Sequence, residues 1–210
     1  TSFNGDVSKW DVSSVKDMGS MFMFATSFNA DVAQWDVASV TNMTVMFMET
    51  SFNGDLSKWD VSSVTDMREI FYEAASFNGD ISKWDVSAVR NMTSMFGDAE
   101  AFNNDISKWD VSRATNMKAM FFNAKAFNGD ISKWDVSSVT SMDFMFSLAT
   151  SFKQELCGAA WVHSKATKTG MFVSSPGSIS QTVCTSVINM QGYTSHGPIT
   201  QRELRMSPTV

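Results

Sequence analysis

The sequence predicts an α/β repeat solenoid in which every coil of about 25 residues holds a short parallel strand and a short helical turn. The first observation is self-similarity, because a segment that reads FNGDVSKWDVSSVKDMGSMF begins at Phe3 and recurs along the chain. The later copies begin at Phe28, Phe52, Phe77, Phe102 and Phe127, and a degenerate seventh copy begins at Phe152. The second observation is a change of hydrophobic period halfway through each copy, from the period of a strand to that of a helix.

The first half of each copy predicts the strand. In the first copy Val7, Trp10 and Val12 are β-forming residues. In an extended segment Trp10 and Val12 point to one face, while Lys9 and Asp11 point to the other. The strand would therefore have an apolar inner face and a charged outer face.

The second half of each copy predicts the helical turn. Met18, Met21 and Phe22 stand at i, i+3 and i+4, which places three large apolar side chains on one side of a helix. A single coil cannot bury these groups together with its tryptophan, so we expect the coils to stack, indole upon indole and methionine upon methionine. The asparagine that follows each initial Phe, such as Asn4, would then form a ladder of hydrogen bonds along the stack.

The chain divides into three parts. Residues 1–150 hold six coils, residues 151–184 form a degenerate capping coil in which Trp161 comes two residues late, and residues 185–210 are expected to be an extended tail. Residues 1–150 carry 11 Lys and Arg against 20 Asp and Glu, whereas residues 151–210 carry 5 against 2. An acidic body repels phosphate, so we expect no nucleic-acid partner.

The motif W-D-V-S-x-V-T-x-M-x-x-M-F, followed by A-x-x-F-N-x-D-I-S, resembles the BspA-like leucine-rich repeats of bacterial surface lipoproteins and algal proteins. The resemblance covers residues 1 to about 157. It implies a leucine-rich-repeat-like solenoid that lies outside the cytoplasm and binds proteins or mediates adhesion. It brings no catalytic residue to this sequence, and the long C-terminal extension departs from the usual pattern.

The two cysteines, Cys157 and Cys184, flank the degenerate coil. A disulfide between them would close a loop over the end of the stack and resembles the capping ends of algal members of that family. Such a bond implies an oxidising location, either the cell surface, a secreted state or an organelle lumen. Two unrelated buried thiols are the alternative.

Residues 1–150 contain no His, so we expect neither a catalytic base of that kind nor a histidine-ligated metal site there, and we expect no enzyme and no cofactor. Two aspartate columns begin at Asp6 and Asp11. Regularly spaced carboxylates could bind Ca²⁺. A solvated ladder of Lys9-type and Asp11-type charges is the alternative that the sequence favours, with the Asp6 column bonding turn amides.

The sequence thus predicts a non-catalytic scaffold that binds proteins as a surface or lumenal module. The alternative is a fixed extrinsic subunit of a larger organelle membrane complex, such as a photosynthetic one, docked through its tail and without a membrane span of its own. The predicted interaction face consists of Lys9, Asp11, Gln34, Asp36, Lys58, Asp60, Lys83, Asp85, Lys108, Asp110, Lys133 and Asp135. The predicted docking residues of the tail are Tyr193, His196, Arg202 and Arg205.

Overall fold

The structure, a computed structural model, describes residues 2–184. Within them the regular elements are β1 (Glu155–Leu156), α1 (Ala159–Val162) and β2 (Ser178–Ile179), all near the C-terminal end. The six preceding coils consist of tight turns and of isolated parallel bridges between coils. The tail residues Tyr193, His196, Arg202 and Arg205, and the rest of the predicted tail, lie outside the described residues.

The first half of each coil, which we call the turn half (residues 3–15 in the first coil), forms two β-turns. The Trp10 amide donates to the Val7 carbonyl at 3.0 Å, and the Val15 amide donates to the Val12 carbonyl at 2.9 Å. The same pair of turns recurs in the following five coils. The expected strand is therefore absent from the turn halves, because these amides bond within their own coil rather than with a neighbouring strand.

The second half of each coil, which we call the ladder half (residues 16–25 in the first coil), bonds to the next coil. The amide of Ser20 donates to the carbonyl of Thr44 at 2.9 Å, and that of Phe22 donates to the carbonyl of Met46 at 3.0 Å. The intervening amide of Met21 closes a turn on Met18 at 3.2 Å. The ladder half is therefore not the expected helical turn, because an α-helix needs every amide to bond to the carbonyl four residues back. The bridges of this half join Asp17, Asn42, Asp66, Asn91, Asn116, Ser141 and Thr167 in sequence.

The ladder half has a left-handed residue every four positions. In the first coil Ser20 and Phe24 have φ values of 61° and 62°, and the same two positions have positive φ in every later coil. One of them is Val45 at 52°, a β-branched residue for which this conformation is a real outlier. Each such residue in the first six coils donates its amide to the next coil, so neighbouring coils hold the strained backbone in place.

Aromatic columns run through the core along the stack. Trp35 lies 6.3 Å from Trp10 and 6.4 Å from Trp59, with nearly parallel rings. The buried indoles also donate to the carbonyl of an aliphatic residue one coil back, as Trp84 does to Leu56 at 3.0 Å. The rings of Phe22 and Phe28 stack at 3.8 Å, and equivalent pairs recur along the stack. The predicted asparagine ladder is present, with one refinement: each side-chain oxygen accepts from the backbone amide of the next asparagine.

One coil is a residue short, and Thr50 compensates. In the first coil the Ala25 amide donates to Phe22, and the Ala25 carbonyl accepts from Phe28. In the short coil the Thr50 hydroxyl donates to the Phe47 carbonyl at 2.8 Å and accepts from the Phe52 amide at 3.3 Å. A buried side-chain hydroxyl thus replaces both backbone groups of the missing residue.

The last coil keeps the core columns despite its altered sequence. The extra residues form α1, and Trp161 still donates its indole N–H to the Ile131 carbonyl at 3.0 Å. Gly158 is required before α1, because a Cβ atom there would lie 2.0 Å from the Ser132 carbonyl oxygen. Strand β2 pairs in parallel with β1, and the predicted disulfide joins Cys157 to Cys184, whose Cα atoms are 5.2 Å apart.

Candidate interaction surface

The predicted interaction face lies along the corners of the turn halves. All of its twelve residues, from Lys9 to Asp135, are exposed in the structure. They form one column of lysines, with Gln34 in the second coil, and one column of aspartates.

The aspartates of this face hold their own turns. The Asp11 carboxylate accepts from the Ser13 amide at 3.1 Å and from the Ser13 hydroxyl at 2.7 Å. Every aspartate of the column accepts from the amide two residues on. The Ser62 hydroxyl and amide likewise lower the pKa of Asp60, because both hydrogen bonds favour the ionised form. These carboxylates repeat in every coil because the turn needs them.

The Asp6 column has the same structural role and is the column that the lysines approach. Asp80 accepts from the Ser82 amide at 2.9 Å, as its equivalents do in the other coils. Hydrogen bonds from Ser82 and, to a smaller extent, the charge of Lys83 lower the pKa of Asp80. The prediction that the Asp6 column bonds turn amides is confirmed. Within residues 2–184 no lysine of this face forms an ion pair with an Asp11-type carboxylate, so the predicted ladder of lysines and Asp11-type carboxylates stays a prediction.

Ion pairs and metal sites are sparse in the described part of the chain. Within residues 2–184 the ion pairs are Arg68 with Asp66 and Lys125 with Glu100. In the same range, no group of three or more His, Cys, Asp or Glu side chains is arranged to hold a metal ion. The carboxylates of the two regular columns accept hydrogen bonds from their own turn amides.

The outward positions of the ladder half form a different surface, which the sequence analysis did not identify. The first left-handed position holds Ser20, Val45, Glu69, Ser94, Ala119, Phe144 and Gly170 in successive coils. The second holds Phe24, Glu49, Glu73, Asp98, Asn123, Leu148 and Ser174. In the first six coils the backbone amides at all of these positions donate to the next coil, whereas the side chains differ from coil to coil. Some of the side chains also contact each other, as the Asn123 amide donates to the Asp98 carboxylate at 2.7 Å. We call this surface the ladder face, and the signal that could have found it is this variation between copies.

The centre of the ladder face is acidic. Tyr72 lies between Glu69, Glu73 and Asp98, and its ring covers Gly97 of the next coil. Partial burial, followed by the charges of Asp98 and Glu73, raises the pKa of Tyr72 to about 12. A groove of about 290 Å³ lies beside this centre and is lined by Thr26, Glu49, Thr50, Ser51, Glu73, Ala75 and Ser76.

The two ends of the ladder face are apolar. Phe24 in the first coil is 42% exposed, and Phe144 and Leu148 in the sixth coil are also exposed. Val173 in the seventh coil is 54% exposed. The ladder face therefore combines exposed apolar side chains near its two ends with a central group of carboxylates.

The comparisons with known proteins identify a family. A family model described as "Mycoplasma protein of unknown function, DUF285" matches residues 1–82, 49–161 and 78–186. The overlapping matches extend over the six coils and the degenerate coil. No curated protein and no solved structure matches the chain. Within residues 2–184, none of the helices is long and apolar enough to cross a membrane.

Proposed function

We propose that this chain, which belongs to the DUF285 family, is a non-catalytic scaffold of the BspA-like, leucine-rich-repeat-like solenoid class that binds other proteins. The proposal rests on one observation above the others: buried and turn positions repeat from coil to coil, whereas the outward positions of the ladder face vary. A position that folding constrains keeps the same residue in every coil. A position that folding leaves open can carry a residue selected for contact with a partner.

The ladder face supports this proposal better than the predicted face of lysines and aspartates. The Asp11-type and Asp6-type side chains are accounted for by the turns that they hold. The ladder face carries Glu69, Glu73 and Phe144 at positions where the backbone conformation would favour glycine. Bulky or charged residues at such positions suggest a use beyond folding. The matching partner would present basic and apolar groups to this face.

The location belongs to the same proposal. The disulfide between Cys157 and Cys184 suits an oxidising location outside the cytoplasm, at the cell surface, in the secreted state or in an organelle lumen. The second candidate function is a fixed extrinsic subunit of an organelle membrane complex. The positive balance of residues 151–210, against the acidic body, favours contact between the C-terminal region and an acidic neighbour.

The test compares two faces of the intact chain. In one variant Glu69→Lys and Glu73→Lys reverse two charges on the ladder face. In the control Lys83→Glu and Lys108→Glu reverse two charges on the predicted face of lysines and aspartates, which we call the turn face. Proteins that co-purify with the chain from its native source are identified, and their affinity for each purified variant is measured. We expect the ladder-face variant to bind about tenfold more weakly and the control to bind like the unchanged chain.

Each other outcome contradicts part of the proposal. Loss of binding in the turn-face variant alone would return the site to the predicted face of lysines and aspartates. Equal binding by both variants would exclude both faces. A truncation that removes residues 196–210 tests the second candidate, because a subunit held by its tail would then separate from its complex, whereas a partner bound to the ladder face would stay.

A further inference from the structure

One column at the start of the ladder half changes its residue type from coil to coil and keeps its turn. Its members are the bridge residues Asp17, Asn42, Asp66, Asn91, Asn116, Ser141 and Thr167. In the first six coils the side-chain oxygen of this residue accepts a hydrogen bond from the backbone amide two residues later. Aspartate, asparagine and serine all form this turn, so the turn does not determine which residue stands two positions on.

Two coils combine an asparagine in this column with a threonine two residues later. The pairs are Asn42 with Thr44 and Asn91 with Thr93, and a methionine separates the two members of each pair. An asparagine followed two residues later by serine or threonine, with any residue except proline between them, is the acceptor pattern for N-linked glycosylation. The pattern occurs at no other asparagine of the sequence.

The fifth coil shows that the backbone turn does not need the threonine. Asn116 occupies the same column there, and its side-chain oxygen accepts from the amide of Lys118 at 3.0 Å. The bond from the Thr44 amide to the Asn42 oxygen has the same length, 3.0 Å. The threonine hydroxyls of the second and fourth coils are therefore an addition that the turn can form without.

The two asparagine side chains can carry a sugar and keep their structural hydrogen bonds. The Thr44 hydroxyl donates to Asn42 Oδ1 at 2.6 Å, and the Thr93 hydroxyl donates to Asn91 Oδ1 at 2.7 Å. These bonds use the oxygen, whereas a glycan is attached to the nitrogen. Asn42 Nδ2 carries two hydrogens and donates one of them to the Asp17 carboxylate at 2.9 Å, so the other can be replaced. Both asparagines are half-buried rather than part of the core.

We propose that Asn42 and Asn91 are N-glycosylated, an inference that rests on the location outside the cytoplasm proposed above. The co-substrate is an oligosaccharide linked to a polyprenyl diphosphate. The Nδ2 atom forms a bond to the anomeric carbon of the sugar, and the bond between that carbon and the diphosphate oxygen breaks. The amide loses one proton and the polyprenyl diphosphate leaves, with no change of oxidation state. The two sites lie two coils apart, on the order of 10 Å along the stack.

The modification would distinguish the two candidate functions. The acceptor pattern is used in proteins that enter the secretory route, where the attached glycan is bulky and lies at the surface. Glycans on the second and fourth coils would favour a module at the cell surface or in the secreted state over a fixed subunit in an organelle lumen. They would also cover the start of the ladder half in those two coils.

Peptide mass spectrometry of the full-length chain from its native source tests the proposal. The peptides of Asn42 and Asn91 should carry a sugar mass that an amidase specific for N-glycans removes, and the peptide of Asn116 should carry none. Thr44→Val should abolish the modification of Asn42 and leave that of Asn91 unchanged, which reports that the variant is still made and exported. Thr44→Ser is the matched control, because it retains the hydroxyl and should retain the glycan.

The oxidation state of the cysteines in the same sample separates this inference from the proposed location. An intact bond between Cys157 and Cys184 together with unmodified Asn42 and Asn91 would overturn the glycosylation and leave the location standing. Reduced cysteines would contradict the location and the glycosylation together. Retention of the glycan on Asn42 in the Thr44→Val variant would overturn the acceptor site, since its hydroxyl would then have no part in it.

Discussion

The two halves of each coil satisfy the hydrogen bonding of their backbone amides in different ways. Apart from its asparagine amide, which donates to the asparagine side chain of the preceding coil, the turn half bonds its amides within its own two turns, using carboxylates such as Asp60. The ladder half satisfies them through the next coil, as Ser20 does with Thr44. Local bonds fix the identity of the side chain that makes them, whereas backbone bonds between coils leave the side chains free. The repeated face of lysines and aspartates is therefore explained by the turns that its aspartates hold, whereas the variable ladder face is the one that we propose for recognition.

The largest expected effect comes from the core that both halves share. Trp84→Ala should lower the free energy of unfolding by about 3–5 kcal/mol, because a fully packed indole and its bond to Leu56 are lost. Trp10→Ala is the matched control, since Trp10 is 49% exposed at the open end, and should cost less than about 1.5 kcal/mol. Urea titration measures both. Similar losses would show that coil position does not determine burial in solution.

A smaller effect is expected where a side chain replaces backbone in the ladder half. Thr50→Val keeps the shape but leaves the Phe47 carbonyl and the Phe52 amide without the hydroxyl, at a cost of roughly 2 kcal/mol. Thr50→Ser retains the hydroxyl and should cost about 1 kcal/mol or less. Urea titration of the pair provides the measurement. If valine were tolerated as well as serine, the hydroxyl would not compensate for the missing residue.

Removal of a turn-half carboxylate should lower the free energy of unfolding by a smaller and pH-dependent amount. Asp60→Ala removes the acceptor for Ser62 and should cost about 1 kcal/mol at neutral pH, a value kept low by solvent exposure. Asp60→Asn retains an acceptor and should cost less. The pKa of Asp60 is lowered in the folded state, so its contribution is present above the unfolded pKa and is lost as the pH falls through the folded pKa. Thermal unfolding between neutral pH and about pH 3 should therefore show the Asp60→Ala difference shrinking on the acid side.

The smallest expected effect has the opposite sign. Ala119→Gly should raise stability by about 0.5–1 kcal/mol, because Ala119 has a φ of 54° and glycine adopts that conformation without strain. At Ala75, an exposed residue outside the positive-φ positions, the same change to glycine should lower stability by a similar amount. If calorimetry shows a gain of stability for Ala119→Gly and a loss for Ala75→Gly, the positive φ of Ala119 strains the ladder half. A loss of stability for both variants would argue against that strain.

The repeated columns made much of this structure predictable from the sequence. The buried tryptophans and methionines, the asparagine ladder, the disulfide and the role of the Asp6 column all follow from residues that recur or stand alone. The ladder half was not predictable in the same way, because the next-coil carbonyls that accept from its amides lie 23 to 25 residues later in the sequence. Spacing of i, i+3 and i+4 is shared by a helical turn and by successive β-turns whose apolar residues face the same core. The ladder face was missed because a search for repetition passes over the positions that vary.

Most hydrogen bonds of the ladder run in one direction. At every junction four alternate amides of the earlier coil donate to carbonyls of the later coil, and at least one amide of the later coil, such as that of Thr41, donates back to the earlier coil. The first coil therefore ends in the carbonyls of Gly19, Met21 and Met23, for which residues 2–184 provide no donor. A fragment cut after the sixth coil would expose the complementary donors and could join copies head to tail into a filament.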